Sequence, residues 1–302
     1  MMKTFSFFVI AIFAVRLAHG EEQQTEGGPR VAAQMAIRDN EKKFYEMGQE
    51  QGTRAAFLHF LADDSIVFRP GPISGKEVWN KRPEGGISLK WKPKFVWVSR
   101  SADLGYSTGP AEWRKAKEDA KPFGYGQFIT IWKKQKDGQW RVELDVGGEV
   151  PGAPNESEEE AATEFTPVDD SVTAQPDCAN AKKNLHEAED KFATAAKADS
   201  TIALSEASLP TVRVHREGVF PAVGKYPAQL MLSVHRGHLS MEKMGGEMST
   251  ACDLAYNYGK YSLVEPTGTE RGHYLQIWRT DADGTWKIAL DFQTPLPNEQ
   301  KK

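Results

Sequence analysis

One stretch of this chain occurs twice. Gly126, Phe128, Ile129, Ile131 and Trp132 answer Gly272, Tyr274, Leu275, Ile277 and Trp278. Beyond them Asp137, Gly138, Trp140, Leu144 and Asp145 answer Asp283, Gly284, Trp286, Leu290 and Asp291, at a constant offset of 146 residues. Upstream, Asp103, Leu104, Tyr106 and Gly109 match Asp253, Leu254, Tyr256 and Gly259, and Gly75-Lys76 matches Gly224-Lys225. Self-similarity of this extent means two copies of one domain. A chain of 302 residues has room for both, at roughly 100–200 residues per domain.

Between the copies, residues 149–177 carry nine acidic residues, four prolines and no Lys or Arg. Such a segment repels itself and has little to bury, so it reads as an acidic, Pro-containing linker. It also explains the net charge of −4. Outside the linker and residues 1–20, 36 basic side chains face 33 acidic ones. A near-neutral folded part argues against a nucleic-acid partner. Residues 1–20 place Lys3 before an apolar run from Phe5 to Val15, with Ala18 and Gly20 at the −3 and −1 positions of a cleavage site before Glu21. That is the pattern of a signal peptide and implies a secreted or periplasmic protein. No later stretch reaches 18 consecutive apolar residues, so no membrane span is expected.

Each copy reads as helices first, strands afterwards. Residues 31–47 carry helical spacing through Met35, Ile37, Phe44 and Met47, and residues 180–198 repeat it through Leu185, Ala188, Phe192 and Ala195. Short second helices follow at 53–62 and 200–207, with Thr53 and Ser200 as N-caps. Strands are expected at 93–101, 105–115, 124–134 and 139–147, then at 239–248, 251–264, 271–280 and 285–293. Asp137-Gly138 and Asp283-Gly284 mark the hairpin turns. Helices segregated ahead of an antiparallel sheet give an α+β class.

At these residues the chain resembles the nuclear transport factor 2-like superfamily. Within it the SnoaL-like and ketosteroid-isomerase-like domains are most similar, specifically domain-of-unknown-function family 4440. The resemblance rests on Trp91 and Pro93, on Asp103 to Pro110, on Gly126 to Trp132, and on Asp137, Gly138 and Trp140 through to Asp145. The second copy keeps the last two elements, with Ala255 in place of Gly105 and no Trp-x-Pro. The resemblance implies two tandem cone-shaped domains, 30–148 and 178–296, each with N-terminal helices packed in a curved antiparallel sheet. It does not fix a chemistry, because one fold hosts many functions.

The candidate residues each have a functional and a structural reading. Asp145 and Asp291 close the last strand of their copies, where the resemblance places an acid. Strict alternation puts Trp140, Val142 and Leu144 on one face and Asp145 on the other, away from Trp140. Asp145 is then either a solvated strand-end carboxylate or a general base in the cone. Arg69 and His215 follow apolar runs at comparable places and offer cations or hydrogen bonds to a carboxylate ligand, or sit at the surface. Six of the eight Trp fall in the first copy. Trp91 and Trp113 are candidates to line a pocket for a flat ligand, against the plainer reading as core. Tyr106 and Tyr256 recur at matching positions, and each hydroxyl serves either a ligand or a nearby backbone group. His273 is one of five His in the second copy; His235 and His238 have a spacing that brings imidazoles together on a helix, but Gly237 intervenes and no metal motif accompanies them.

No cofactor motif is present, and no metal site is expected. The polar candidates of the two copies match less well than their scaffolds, which argues against two parallel enzymes. The leading expectation is an exported protein that binds a small apolar or amphipathic molecule or serves as an interaction scaffold. The alternative is a cofactor-independent isomerase or hydrolase, with Asp145 as base, Tyr106 as donor and Arg69 as anchor in the first copy. Two further expectations concern assembly. Cys178 and Cys252, both in the second copy, pair as a disulfide in an oxidising compartment. The two sheets pack face to face as an intramolecular pseudo-dimer. Phe128, Thr130 and Trp132 on one strand face are echoed by Tyr274, Gln276 and Trp278, while Ile129 and Ile131 answer Leu275 and Ile277 on the other.

Overall fold

The structure, a computed structural model, describes residues 28–119, 121–153, 177–234 and 236–297. Residues 1–27 and 154–176, and with them the expected leader and most of the linker, lie outside the described residues. In the first copy α1 (Gly28–Gln51) and α2 (Thr53–Phe60) precede β1 (Leu61–Phe68), β2 (Pro72–Ser74) and α3 (Gly75–Lys81). Then come β3 (Ser88–Trp91), β4 (Phe95–Val98), β5 (Leu104–Arg114), β6 (Gly124–Lys134) and β7 (Trp140–Val150). The second copy repeats the order with α4 (Cys178–Ala196), α5 (Ser200–Ala207), β8 (Ser208–Arg216), β9 (Ala222–Val223) and α6 (Lys225–Leu232). It ends in β10 (His238–Met248), β11 (Leu254–Glu265), β12 (Gly268–Thr280) and β13 (Trp286–Pro295).

The architecture is α+β, with one curved sheet per copy and the helices laid across its inner face. The sheets run β2-β1-β7-β6-β5-β3, with β4 also on β5, and β10-β11-β12-β13-β8-β9. Neither is wholly antiparallel, because β1 lies parallel to β7 and β8 parallel to β13. The expected second helix in the first copy ends early and releases this strand: Leu61 already pairs with Val142. Val67, in β1, is fully buried. The N-caps are also one residue earlier than expected. Gly52 precedes α2, and Asp199 precedes α5, where its carboxylate accepts from Thr201 N and Ile202 N. An Asp carboxylate is an acceptor free to satisfy such orphan amides. Glu149 and Val150, expected in the linker, still belong to β7.

Two features of the sheets decide which side chains face what. Strand β7 carries an irregularity: Ile131 pairs with Leu144, yet Trp132 pairs with Val142, leaving Glu143 as the extra residue. A bulge resets alternation. Trp140 and Val142 therefore point under the helices with Trp132 and Ile37, whereas Leu144 and Val146 point outward. Asp145 returns to the inner face, the reverse of what strict alternation predicts. Strand β13 has the same irregularity, with Ile277 on Leu290 and Trp278 on Ile288.

The outer faces meet each other. Phe68, Leu104, Tyr106, Ile129, Ile131, Leu144 and Val146 of the first sheet form one buried cluster with Leu254, Tyr256, Leu275, Ile277, Leu290 and Phe292 of the second. Burial of each such side chain contributes about 1.5–3 kcal/mol. Of the two apolar faces of β6, the one with Ile129 and Ile131 does the packing, and the one with Phe128, Thr130 and Trp132 looks into the first cone.

Matched turns seal one end of this contact. Asp103 accepts hydrogen bonds from Ser99 Oγ (2.8 Å) and, across the interface, from Thr250 N (3.0 Å) and Thr250 Oγ1 (2.6 Å). Asp253 accepts from Ser249 Oγ (3.0 Å), from Arg100 N across the interface (3.0 Å), and pairs with Arg100 Nε at 3.2 Å. Each turn passes through a left-handed residue at the same place, Ala102 (φ 53) and Cys252 (φ 55). Cys252 is bonded to Cys178 at the start of α4, with Cα atoms 5.6 Å apart. The bond thus ties the helix to this turn rather than to a central strand, as the expected 251–264 strand implied.

Candidate functional site

Helix α1 presents Ile37, Glu41 and Phe44 to the cone, at the i, i+4, i+7 spacing of a single face, and all three are buried. Glu41 is an acid in an apolar stripe. Its Oε1 accepts from Ser107 Oγ (2.5 Å) and Trp132 Nε1 (2.9 Å), and its Oε2 from Trp91 Nε1 (2.8 Å). Burial pushes its carboxyl up to about 7, opposed by these three donors and reinforced by the charge of Asp145. Asp145, brought inward by the β7 bulge, accepts from Thr130 Oγ1 at 2.9 Å. Burial raises its pKa too, against the pull of the Arg69 guanidinium and the Thr130 hydroxyl.

These groups line a cavity of about 210 Å³ whose walls are Phe44, Phe57, Trp79, Trp91, Trp113 and Phe128, with Arg69 and Arg82 among its polar groups. Trp79 stacks on Phe57 with centroids 3.9 Å apart, and the Arg82 guanidinium lies 4.3 Å over the Trp79 ring. Trp113 lies flat across β6 because positions 124 and 126 are glycines; a Cβ at Gly126 would overlap the Trp113 ring. The arrangement offers a ring-shaped apolar slot, two carboxyls with raised pKa values and two cations. Such a set can bind an amphipathic molecule and can exchange protons with it.

The second cone holds the same residue pattern with its charged groups paired to one another. Leu185, Glu189 and Phe192 of α4 repeat the spacing of Ile37, Glu41 and Phe44. The shared acid set that the sequence comparison missed is therefore present, as Glu41, Arg69, Thr130 and Asp145 against Glu189, Arg216, Gln276 and Asp291. Its charges are spent internally. Arg216 Nη2 pairs with Asp291 Oδ2 at 2.6 Å, and Gln276 Nε2 donates to Asp291 Oδ1 at 2.8 Å. Glu189 is held by Lys243 Nζ (2.9 Å) and Asn257 Nδ2 (2.6 Å), and Trp278 Nε1, the counterpart of Trp132 Nε1, has no partner among the described residues. The cavity beside Asp291 is only about 90 Å³.

Of the residues singled out from sequence, the first cone gathers Arg69, Trp91, Trp113 and Asp145, and the second holds Asp291. Tyr106 and Tyr256 are in neither cone: their positions in β5 and β11 turn them into the contact between the sheets. Burial raises the Tyr256 hydroxyl pKa, and nearby carboxylates add to the effect. His215 faces the same contact, buried, with neither ring nitrogen hydrogen-bonded among the described residues; burial lowers its pKa to about 3, with Arg213 and Arg216 adding to the effect. His273 lies against the first copy, its ring 6.2 Å from that of Phe68. His238 begins a strand and its Nδ1 meets Lys197 O at 2.8 Å, so no helix pairs it with His235, which is outside the described residues. Among the described residues no group of three or more His, Cys, Asp or Glu is arranged to hold a metal ion. Glu41 and Arg82 were not singled out, although Glu41 carried a signal: an acid at the same place in the apolar stripe of both copies.

Fold and site together define a tandem cone protein with a larger, aromatic-walled cavity in the first copy and a smaller one, narrowed by an internal ion pair, in the second. No family model matches the chain, and no curated protein matches it. The solved structures to which it is similar include a ketosteroid isomerase-like protein from Erwinia carotovora atroseptica, at 19% identity over 38% of this chain and 95% of that one, with a TM-score of 0.34. Another is an NTF-2 like protein of unknown function from Shewanella oneidensis, at 14% identity over 37% and 98%, with a TM-score of 0.33. A third, a protein of unknown function with a cystatin-like fold from Nostoc punctiforme, is 14% identical over 39% and 92%, with a TM-score of 0.31.

Proposed function

We propose that the first cone is a receptor for a small amphipathic molecule and that the second is a structural partner that holds it in shape. The observation that supports this reading is the contrast between the copies. The same acid–arginine set is left unpaired around a 210 Å³ aromatic cavity in one, and joined by the Arg216–Asp291 ion pair beside a cavity of only about 90 Å³ in the other. An engineered apolar cavity of about 150 Å³ takes up benzene, so the first cone has room for one or two rings. The leader pattern of residues 1–20 and the Cys178–Cys252 bond support export, which N-terminal sequencing of the secreted protein tests by a start at Glu21. Binding is tested by thermal shift of the chain from Glu21 onward with one- and two-ring compounds. Ligands are expected to raise Tm, because binding favours the folded state. Ala111→Trp, which fills the first cavity, should abolish the rise; a rise that survives this variant counts against the first cone.

A second reading rests on the two raised carboxyls. Glu41, at about 7, and Asp145 are poised to move a proton within the same cavity. In that case Asp145→Asn would eliminate turnover of a bound compound and leave its binding in place.

A further inference from the structure

The polar end of the first cavity has a charge imbalance that its counterpart lacks. Arg69 Nη1 donates to its neighbour's carbonyl, Phe68 O, at 2.6 Å, and among the described residues neither Arg69 nor Arg82 lies within ion-pair distance of a carboxylate. A guanidinium has five N–H donors; with Arg69 exposed at the mouth of the cavity and Arg82 half-buried over Trp79, donors on both are accessible to a ligand that displaces solvent. The two sit close enough that the charge of Arg69, after burial, helps lower the pKa of Arg82. The carboxyls that share the cavity, Glu41 and Asp145, take their hydrogen bonds from Ser107, Trp132, Trp91 and Thr130, not from either guanidinium.

In the second copy this device is absent. Arg216, the counterpart of Arg69, donates to Asp291 Oδ2, to Asp291 O and to His215 O. In the register set by Gly75 and Gly224, Met231 stands where Arg82 does, and Ala228 where Trp79 does. The shelf of Trp79 with Arg82 stacked on it is therefore a property of the first cone alone. Two unpaired guanidiniums beside aromatic walls match a planar molecule that ends in a carboxylate, because the fork of an arginine meets both carboxylate oxygens.

We propose that the ligand of the first cone is an aromatic monocarboxylate of one or two rings, its ring among Trp79, Trp91 and Trp113 and its carboxylate between Arg69 and Arg82. This rests on the receptor reading above and adds the charge of the ligand to it.

Isothermal titration of the chain from Glu21 onward with 1-naphthoate, and with the neutral isostere 1-naphthamide, tests it at pH 7.5. The acid is expected to bind at least about tenfold more tightly than the amide, with the preference shrinking as salt is raised. Arg82→Gln should erase the preference, and Arg82→Lys should retain part of it. An amide that binds as tightly as the acid overturns the anion inference and leaves the receptor reading standing. If neither compound binds, both fall. Should Arg82→Gln fail to fold, the acid–amide comparison on the unaltered chain still decides.

Discussion

Glu41 is the residue on which the first cone turns. Unfolded, it ionises near its ordinary value of 4.5; folded, it does so at about 7. Between those values the folded state holds a proton that the unfolded chain has lost. Its contribution to stability is thus complete below about 4.5 and is lost as pH rises toward 7. His215 acts in the opposite sense, since its folded pKa of about 3 means that acidification below 6.5 favours the unfolded chain. A comparison with Glu41→Gln cancels the histidine and isolates the acid. The introduced glutamine keeps the shape but turns an amide donor toward Ser107 or a Trp, at a cost of about 1–3 kcal/mol. The variant should melt lower than the unaltered chain at pH 4.5, and the gap should narrow by pH 8. A gap that stays constant in calorimetric scans across this range would mean that Glu41 is ionised throughout. This acid was legible in sequence: Ile37, Glu41 and Phe44, and Leu185, Glu189 and Phe192, set the same acid in the same stripe. Arg82 was not, because it becomes part of the site only when α3 lays Trp79 beneath it.

At the scale of elements, periodicity gave the strands of the hairpins but misread the direction of the most important side chain. Alternation along β7 holds on each side of Glu143 and fails across it. One extra residue exchanges the two faces of everything after it. A bulge leaves no mark in hydrophobic pattern when both faces are apolar, as they are here: Trp140 and Val142 go to the cone, Leu144 and Val146 to the sheet contact. Beside this strand, β6 depends on glycine. Gly126 leaves its inner surface bare so that Trp113 can lie on it, and in the second copy Gly272 does the same beneath Tyr261. Gly126→Val should therefore push Trp113 off the wall. The expected loss is about 1–3 kcal/mol by denaturant melts, the usual range for overpacking. Because Trp113 also lines the cavity, ligand-induced stabilisation should weaken further than the loss in stability explains. Unchanged ligand affinity in a destabilised variant would show that Trp113 is wall to the core and not to the ligand.

The repeat made two domains evident from the sequence; which faces they share was not, since both sides of β6 and β12 are apolar. The structure resolves the ambiguity through volume. Large rings such as Trp132 and Trp278 fill the cones under the helices, while Ile129, Ile131, Leu275 and Ile277, almost wholly buried, interlock between the sheets. The contact is completed by ties at both ends. The exchanged turns of Asp103 and Asp253 close one, and Gly218 N bonds Glu149 O at 3.0 Å at another. An apolar core of this kind cannot be opened without exposing both sheets to water. Each copy is thus expected to depend on the other, in contrast to two beads on a tether. A protease site placed between residues 154 and 176 tests this. After cleavage the fragments should co-elute in gel filtration at the volume of the intact chain and should melt in one transition. Ile131→Lys combined with Ile277→Lys puts two like charges into the contact, where each buried ammonium costs several kcal/mol. Cleaved protein carrying both changes should separate into fragments or aggregate through the exposed sheets. Fragments of the unaltered sequence that elute apart, each folded and each melting as before, would overturn the dependence and leave the contact without a role in stability.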